Sequence, residues 1–367
     1  MLIKKLLFGR DGMCPYCLSK LNEENIKPDE SRRTKCPYCE NYLDGIDIFD
    51  YEKAISIGFV GYSRSGKSCL TLAMIYELMY SSNGWFDVSP MIYDDTANDF
   101  YNNLNKVREN KEIAATNITS IDKSILRLKV CNRHVRHRSR MSTYSLCVFD
   151  PKGGDTIRMK SRDFDNSDEK NSDKKDDADL VPLLFKNTQN YILIIDGTKL
   201  DDNFSGSYGA DPDTGVKMLN DLMRSMDELH YEIAKHRHLK PGSVLDVNLA
   251  VVVSKIDALG DDDLGSNSRL RMPSLHFLKG VFDTNDADGV DREIRALLQR
   301  KKAGFLMNSL NFKFKNVRYF GVSSYGFGAS SKSSEAMKDF RPHRAADPLM
   351  WFFSLASIVK HEVNRWR

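Results

Sequence analysis

Long hydrophobic runs are missing from this chain. The strongest, YILIIDG at 191–197 and LAVVVSKID at 249–257, fall far short of the roughly 20 apolar residues that a membrane-spanning helix needs, so a soluble protein is expected. Net charge is scarce too. Against 54 basic residues stand 51 acidic ones, leaving +3, so no global attraction to nucleic acid or anionic lipid follows and any such binding must come from a local patch. The first residues, MLIKKLLFGRDG, put two lysines inside a very short apolar stretch and offer no small-residue cleavage site; they read poorly as a secretory signal, and a reducing, cytoplasmic location is expected. What is present suffices for a folded protein: 41% apolar residues exclude wholesale disorder, and a length of 367 residues corresponds to about two domains.

The seven cysteines are unevenly spread. Cys69, Cys131 and Cys147 stand alone among apolar neighbours, whereas Cys14, Cys17, Cys36 and Cys39 form two CPYC strings separated by eighteen residues. That spacing fits the C-x2-C, C-x2-C pattern of a tetrahedral zinc site, in which each pair wraps a tight turn and four thiolates close the coordination, leaving a structural ion. Two redox-active CxxC motifs are the competing reading, but neither is followed by the helical setting that lowers a thiol pKa. Residues 1–48 are expected to form a small zinc ribbon, too short for a self-sufficient core, so that metal binding supplies much of its folding free energy. Its surface mixes Lys20, Lys27, Arg32, Arg33 and Lys35 with Glu23, Glu24, Asp29 and Glu30, which suits protein contact at least as well as nucleic acid.

Next comes GYSRSGKS at 61–68, a full match to G-x-x-x-x-G-K-[ST], between the β-rich ISIGFV and an apolar helical pattern through Leu70, Leu72, Ala73, Ile75, Tyr76, Leu78 and Met79. In such a loop Gly61 and Gly66 let backbone N–H groups face phosphate oxygens, with Ser63, Arg64, Ser65 and Cys69 completing the phosphate-binding stretch. Lys67 would bridge the β and γ phosphates and Ser68 would offer its hydroxyl to magnesium.

Further β-rich stretches end in chemistry-bearing residues. YSLCVFD at 144–150 runs into DPKGG; as a D-x-x-G string it would place Asp150 on magnesium and the Gly153 N–H on the γ-phosphate, with Asp155 nearby. YILIID ends in Asp196, an alternative magnesium ligand, but a Walker-type ATPase would put a glutamate next, and Gly197 stands there. LAVVVSKID ends in Ser254, Lys255, Ile256 and Asp257, resembling the guanine-reading [NT]KxD with Ser for Asn. Asp257 would accept from guanine N1 and N2 hydrogens that adenine lacks, and Lys255 would lay its stem over the base. RYFGVSSYG at 318–326 ends in Ser323 and Ser324, whose backbone N–H would meet guanine O6. Every motif sits at a predicted strand end, where an open α/β sheet binds ligands.

At these residues the chain resembles the Ras-like and translation-factor class of P-loop GTPases, over roughly residues 52–367. The DPKGGD string and the polar insert after it look most like the bacterial double-GTPase families, switch proteins of conflict or anti-phage systems encoded beside partner GTPases and effectors. The resemblance implies an α/β fold, a three-layer αβα sheet with insertions spanning 49–367 behind the zinc ribbon. It also implies GTP, GDP and magnesium as ligands and a GTPase reaction. One departure matters: Gly154 stands where a water-positioning Gln or His follows the D-x-x-G glycine, so slow hydrolysis is expected unless Asp155 or a partner orients the water. Arg64 is a further candidate for neutralising charge. The switch-I threonine is expected at Thr119 or Thr116, with Thr96 a third choice. The alternatives are a nucleotide-binding scaffold without turnover, favoured by Gly154, and a P-loop ATPase acting on nucleic acid.

The remaining chain carries insertions at 83–123 and 258–315. NRHVRHRSRMS at 132–142 has four Arg and two His in a hairpin-like connection able to meet RNA, a phosphate or an acidic partner. Residues 161–179 hold eight acidic and four basic residues, and a flexible insert is expected there. A long amphipathic helix is expected over 212–238, with Met218, Leu219, Leu222, Met223 and Met226 in the core, and one helix over DREIRALLQRKKAGFLMNSL. A closing helix is expected from Asp347 as cap and Pro348 at its first position.

Overall fold

The computed structural model describes the chain except residues 1–11, 23–25, 27, 29–32, 44–50, 63–64, 81, 83, 91–95, 109–124, 138–139, 150–182, 185, 201–213, 328–339 and 363–367. The expected acidic insert at 161–179 therefore lies outside the described residues. Near the amino end, β1 (Gly12–Met13) pairs antiparallel with β2 (Lys20–Leu21) beside the four cysteines. Then follow β3 (Lys53–Gly61), α1 (Lys67–Tyr80), β4 (Phe86–Pro90), α2 (Thr96–Arg108), β5 (Ile125–His137), β6 (Arg140–Phe149), β7 (Asn190–Asp196), α3 (Thr214–His236) and β8 (Leu245–Ser254). The short helices α4 (Asp261–Leu264) and α5 (Leu275–Lys279) lead to β9 (Phe282–Asp283), α6 (Thr284–Arg300), α7 (Gly304–Lys313), β10 (Phe314–Gly321), α8 (Asp347–Leu355) and β11 (His361–Glu362).

Seven strands make one sheet in the order β10-β8-β7-β3-β6-β5-β4. The first five run parallel, while β5 is antiparallel to both its neighbours. A parallel strand covered by helices on both faces must be apolar throughout rather than alternating, which is why NYILIID is buried along its whole length. Its side chains divide between two apolar layers. Ile192 and Ile194 join Ile57, Phe59 and Val252 under α1, α2 and α8; Leu193 and Ile195 join Val60, Val251 and Val253 under α3, α6 and α7. The chain is thus α/β, with helices on both faces of a mostly parallel sheet. From β3 the chain crosses to the edge strand β4 and builds back through β5 to β6 beside β3, then passes to the other side for β7, β8 and β10, so the order reverses at β3.

On α3, Met218, Leu219, Leu222, Met226, Leu229 and Ile233 are buried as expected, and Met223 packs at their margin. Three expectations need correction. The helix expected over 291–310 is two, because Lys302 adopts a left-handed φ of 59° between α6 and α7. The closing helix stops at Leu355, and the chain then turns back to pair β11 with β9. Asp347 is not a cap. It is the first residue of α8 behind Ala346, and its carboxylate binds the Arg344 guanidinium at 2.8 Å instead. Trp351, Phe352, Phe353, Ile358 and Val359 are buried, whereas Leu355 is 42% exposed. Among the described residues no helix is long and apolar enough to cross a membrane.

One buried carboxylate ties α1 to α8: Glu77 Oε2 accepts the Ala346 N–H at 2.7 Å. Burial, reinforced by the charge of Asp347, pushes this carboxyl up to about 8 from its ordinary 4.5. The folded protein therefore holds a proton that the unfolded chain releases above pH 4.5, and stability falls as pH rises from there to about 8, by up to about 1.4 kcal/mol per pH unit. Glu77→Gln keeps an oxygen for Ala346 without the charge. We expect its denaturant midpoint to match wild type near pH 5 and to exceed it near pH 8; equal midpoints at both would contradict this assignment.

Candidate functional site

The carboxyl ends of β3, β7, β8 and β10 bring the sequence motifs to one edge of the sheet. Gly61 ends β3 at the point where strand order reverses, and a Cβ there would stand 3.1 Å from Ser65 Oγ and 3.3 Å from Ile194 O, so β7 leaves no room for a side chain. Gly66 has φ +91°, a conformation that glycine adopts without strain, and it turns the loop into α1. Lys67, buried at the start of α1, donates from Nζ to Gly61 O at 3.0 Å and Tyr62 O at 2.8 Å. Its ammonium therefore sits over the loop it follows. Ser68 and Cys69 come next, both half-buried, with Cys69 Sγ 3.8 Å from Tyr325 Oη.

Ser65 is buried, and its Oγ has no hydrogen-bond partner among the described residues. Its carbonyl is held across the edge by Ser254 Oγ at 3.2 Å, which also lies 3.4 Å from Ile195 O. The side chain at the position where the guanine-reading motif has Asn thus fastens the glycine-rich loop to the end of β8. Lys255 follows in a left-handed turn, φ 57°, and its Nζ meets the buried Asp196 Oδ2 at 2.7 Å. The other oxygen of Asp196 accepts the Thr198 N–H and hydroxyl at 3.1 and 2.7 Å. Both carboxylate oxygens are engaged, which leaves Asp196 poorly placed to ligate a magnesium ion.

Asp257 lies in the 3-10 turn Ile256–Ala258. Burial raises its carboxyl above the ordinary value, against a hydrogen bond with Ser323 that lowers it. Residues 66 positions apart are thereby joined at the ends of β8 and β10. The Ser323 N–H is committed to His343 O at 3.0 Å, and its Oγ accepts the Gly326 N–H at 2.8 Å. Ser324, half-buried, follows.

Gly197 explains itself in the same place. A Cβ on it would lie 2.6 Å from Ser254 O, so β7 and β8 approach too closely at their ends for any side chain. Gly197→Ala should cost about 1–3 kcal/mol, seen as a lower denaturant midpoint; an unchanged midpoint would mean that the strand ends separate freely. Ser63, Arg64, Thr116, Thr119, Asp150, Gly153, Gly154 and Asp155 lie outside the described residues, and Thr96 opens α2.

The four amino-terminal cysteines also converge. Each CPYC folds into the same knuckle. In the first, Leu18 N–H donates to Cys14 O and Cys14 N–H to Ser19 O; in the second, Glu40 N–H donates to Cys36 O and Cys36 N–H to Asn41 O. Leu18 and Glu40 share a left-handed φ of 58° and 59°. Sulfurs face each other at 3.7 Å for Cys14–Cys39 and for Cys17–Cys36. Four thiolates tetrahedral about one zinc at 2.3 Å would stand about 3.8 Å apart; these two pairs match that spacing and all four sulfurs lie within 4.8 Å of one another, so the cluster could hold zinc.

The knuckles are fastened to the sheet by residues that sequence reasoning missed. Arg127 Nε on β5 donates to Pro15 O at 2.9 Å, Asn187 Nδ2 donates to Cys17 O and Ser19 Oγ at 3.0 and 2.9 Å, and Leu18 packs into the core under α3. An arginine alternating with apolar residues in ILRLKV was the only local signal. A second cluster, His276, Asp286 and Asp347, is buried, but its chemistry is wrong for a metal. Burial holds His276 neutral, and its Nδ1 accepts the Asp283 N–H at 3.0 Å, so the ring proton sits on Nε2, a donor rather than a ligand. No family model matches the chain, and no curated protein matches it.

Proposed function

We propose that this chain is a guanine-nucleotide-dependent switch of the P-loop GTPase type, which takes Mg-GTP at the carboxyl edge of its sheet and hydrolyses it slowly unless a partner assists. The observation that carries the reading is what gathers at the end of β8: Ser254 fastens the glycine-rich loop at Ser65 O, and the turn that follows sets Asp257 beside Ser323. The end of β8 would thus set both a phosphate-cradling loop and a base-reading carboxylate, two strands from β3, where the strand order reverses and open sheets bind nucleotides.

In this reading the loop's backbone N–H groups and Lys67 hold the phosphates, Lys67 leaving the carbonyls of Gly61 and Tyr62 to do so. Ser68 and Asp150 hold magnesium. Lys255, braced by Asp196, covers the base. Asp257 accepts from the guanine edge. With Ser323 N–H already bonded, the donor to guanine O6 falls to Ser324. The engaged carboxylate of Asp196 and the closed approach at Gly197 count against an ATPase with a second acidic residue there. Gly154 offers no side chain to orient water, which is why turnover is assigned to a partner GTPase or effector, in a bacterial defence system as the family resemblance suggests.

Equilibrium competition of GTP, GDP and ATP with magnesium, on wild type and Asp257→Ala, tests this. Guanine nucleotides should win by at least about a hundredfold, and the variant should lose that preference while still binding. Equal competition by ATP in both proteins would sink the reading.

A further inference from the structure

The hairpin of β5 and β6 outruns the sheet that it belongs to. On one side β4 pairs with β5 only as far as Asn132; on the other, β3 pairs with β6 only from Tyr144 onward. Past one further bond, from the Glu52 N–H to Thr143 O at 2.8 Å, the two strands pair with each other alone among the described residues, through Arg136 with Met141 and His137 with Arg140, after a bulge between Asn132 and Arg136. Because β6 runs parallel to β3, this ribbon leaves the amino edge of the sheet, opposite the Gly61–Ser68 loop. Its root is fixed: Asn132 is fully buried and its Nδ2 donates to Ile358 O at 2.8 Å.

The sequence of the ribbon has a single character. Arg133, His134, Arg136, His137 and Arg140 belong to it, and no carboxylate or lysine stands between Asn132 and Ser142. In a chain with net charge of only +3 this is a concentrated local cation. Arginine's planar fork suits phosphate oxygens and the guanine edge better than lysine does. A two-stranded ribbon fits the major groove of B-form DNA, about 12 Å wide, whereas the deep, narrow groove of A-form RNA shuts it out.

We propose that the β5–β6 ribbon is a DNA-binding arm that lies along the major groove of double-stranded DNA and neutralises its phosphates. The proposal is independent of the nucleotide reading, since the two sites occupy opposite edges of the sheet.

Fluorescence anisotropy of a labelled 20-base-pair DNA duplex, titrated with the full chain between 50 and 200 mM KCl, tests it. Three arginine–phosphate contacts give a log–log salt slope of roughly −2.7, so affinity should fall about fortyfold across that range. The triple variant Arg133→Ala, Arg136→Ala, Arg140→Ala should lose at least about tenfold in affinity at 50 mM and most of the slope. The matching triple Arg→Lys variant, which keeps the charges, should retain the slope and bind within about threefold of wild type, separating lost contacts from a damaged fold. Absence of DNA binding by wild type at 50 mM KCl, equal binding by the alanine variant, or an RNA duplex of the same length binding as tightly as DNA would each overturn the proposal.

Discussion

Stripping zinc from Cys14, Cys17, Cys36 and Cys39 should unfold the knuckles and lower the stability of the sheet with them. The apolar core around the four cysteines is small: Cys14, Cys17, Leu21, Cys36 and Leu43, with a few partly buried neighbours. Its strands are two residues each. So little burial cannot offset the cost of ordering the backbone, which is about 1–2 kcal/mol per residue. A structural zinc contributes on the order of 10–16 kcal/mol in comparable peptides, which makes the ion the main support. The knuckles also donate to the rest of the fold: the Pro15 carbonyl receives Arg127, which is buried on β5, and Cys17 O receives Asn187. Unfolding them strands both donors and uncovers the core around Leu18. We therefore expect one zinc per chain, released on titration of four thiols, and a thermal midpoint that falls by several degrees on chelation and equally in Cys17→Ser. A chain that holds no zinc, or melts identically without it, would return the CPYC pairs to redox chemistry.

The legible parts of this molecule are those whose physics is local. Two CPYC strings, each a single knuckle closed by hydrogen bonds within six residues, announce a metal cluster because spacing alone fixes where the sulfurs point. The glycine-rich loop is legible for a related reason: Gly61 and Gly66 answer to a close approach and a left-handed turn, both of which restrict residue type. The apolar stripe of α3 follows from helical period. Sequence could not give contacts closed across the fold. Ser254 reads as a substitute for a base-reading Asn, yet its hydroxyl is aimed at Ser65 O. Asp196 ends a strand in the manner of a magnesium ligand, yet Lys255, 59 residues on, takes its oxygen. Asp347, followed by proline, has the local form of a helix cap; a guanidinium three residues earlier overrides it.

That guanidinium supplies the second large effect: Arg344→Ala should destabilise the protein by about 3–5 kcal/mol, or roughly 4–7 °C in thermal midpoint for a chain of 367 residues. Arg344 is 1% exposed. It donates to Asp286 through Nη1 and Nη2 at 2.8 and 3.0 Å, to Asp347 at 2.8 Å, and to Met272 O through Nε at 3.0 Å. Two carboxylates that are 3% and 2% exposed are held at the junction of α6 and α8 chiefly by this fork, with Arg269 Nη1 a further 3.9 Å from Asp286. Removing it leaves uncompensated buried charge, the costly case, whereas replacing all three partners by apolar residues of similar volume would cost far less. Arg344→Lys keeps the charge but cannot grip both carboxylates, and should fall between. Denaturant midpoints at pH 7 should therefore rank wild type above Arg344→Lys and Arg344→Lys above Arg344→Ala. A lysine variant no more stable than the alanine variant would mean that answering buried charge is not what the arginine does. Because Glu77 on α1 holds the Ala346 N–H beside this triad, the same substitution reaches the helix that carries Lys67; under the proposed function, nucleotide affinity should weaken along with stability while the base preference assigned to Asp257 stays as it was.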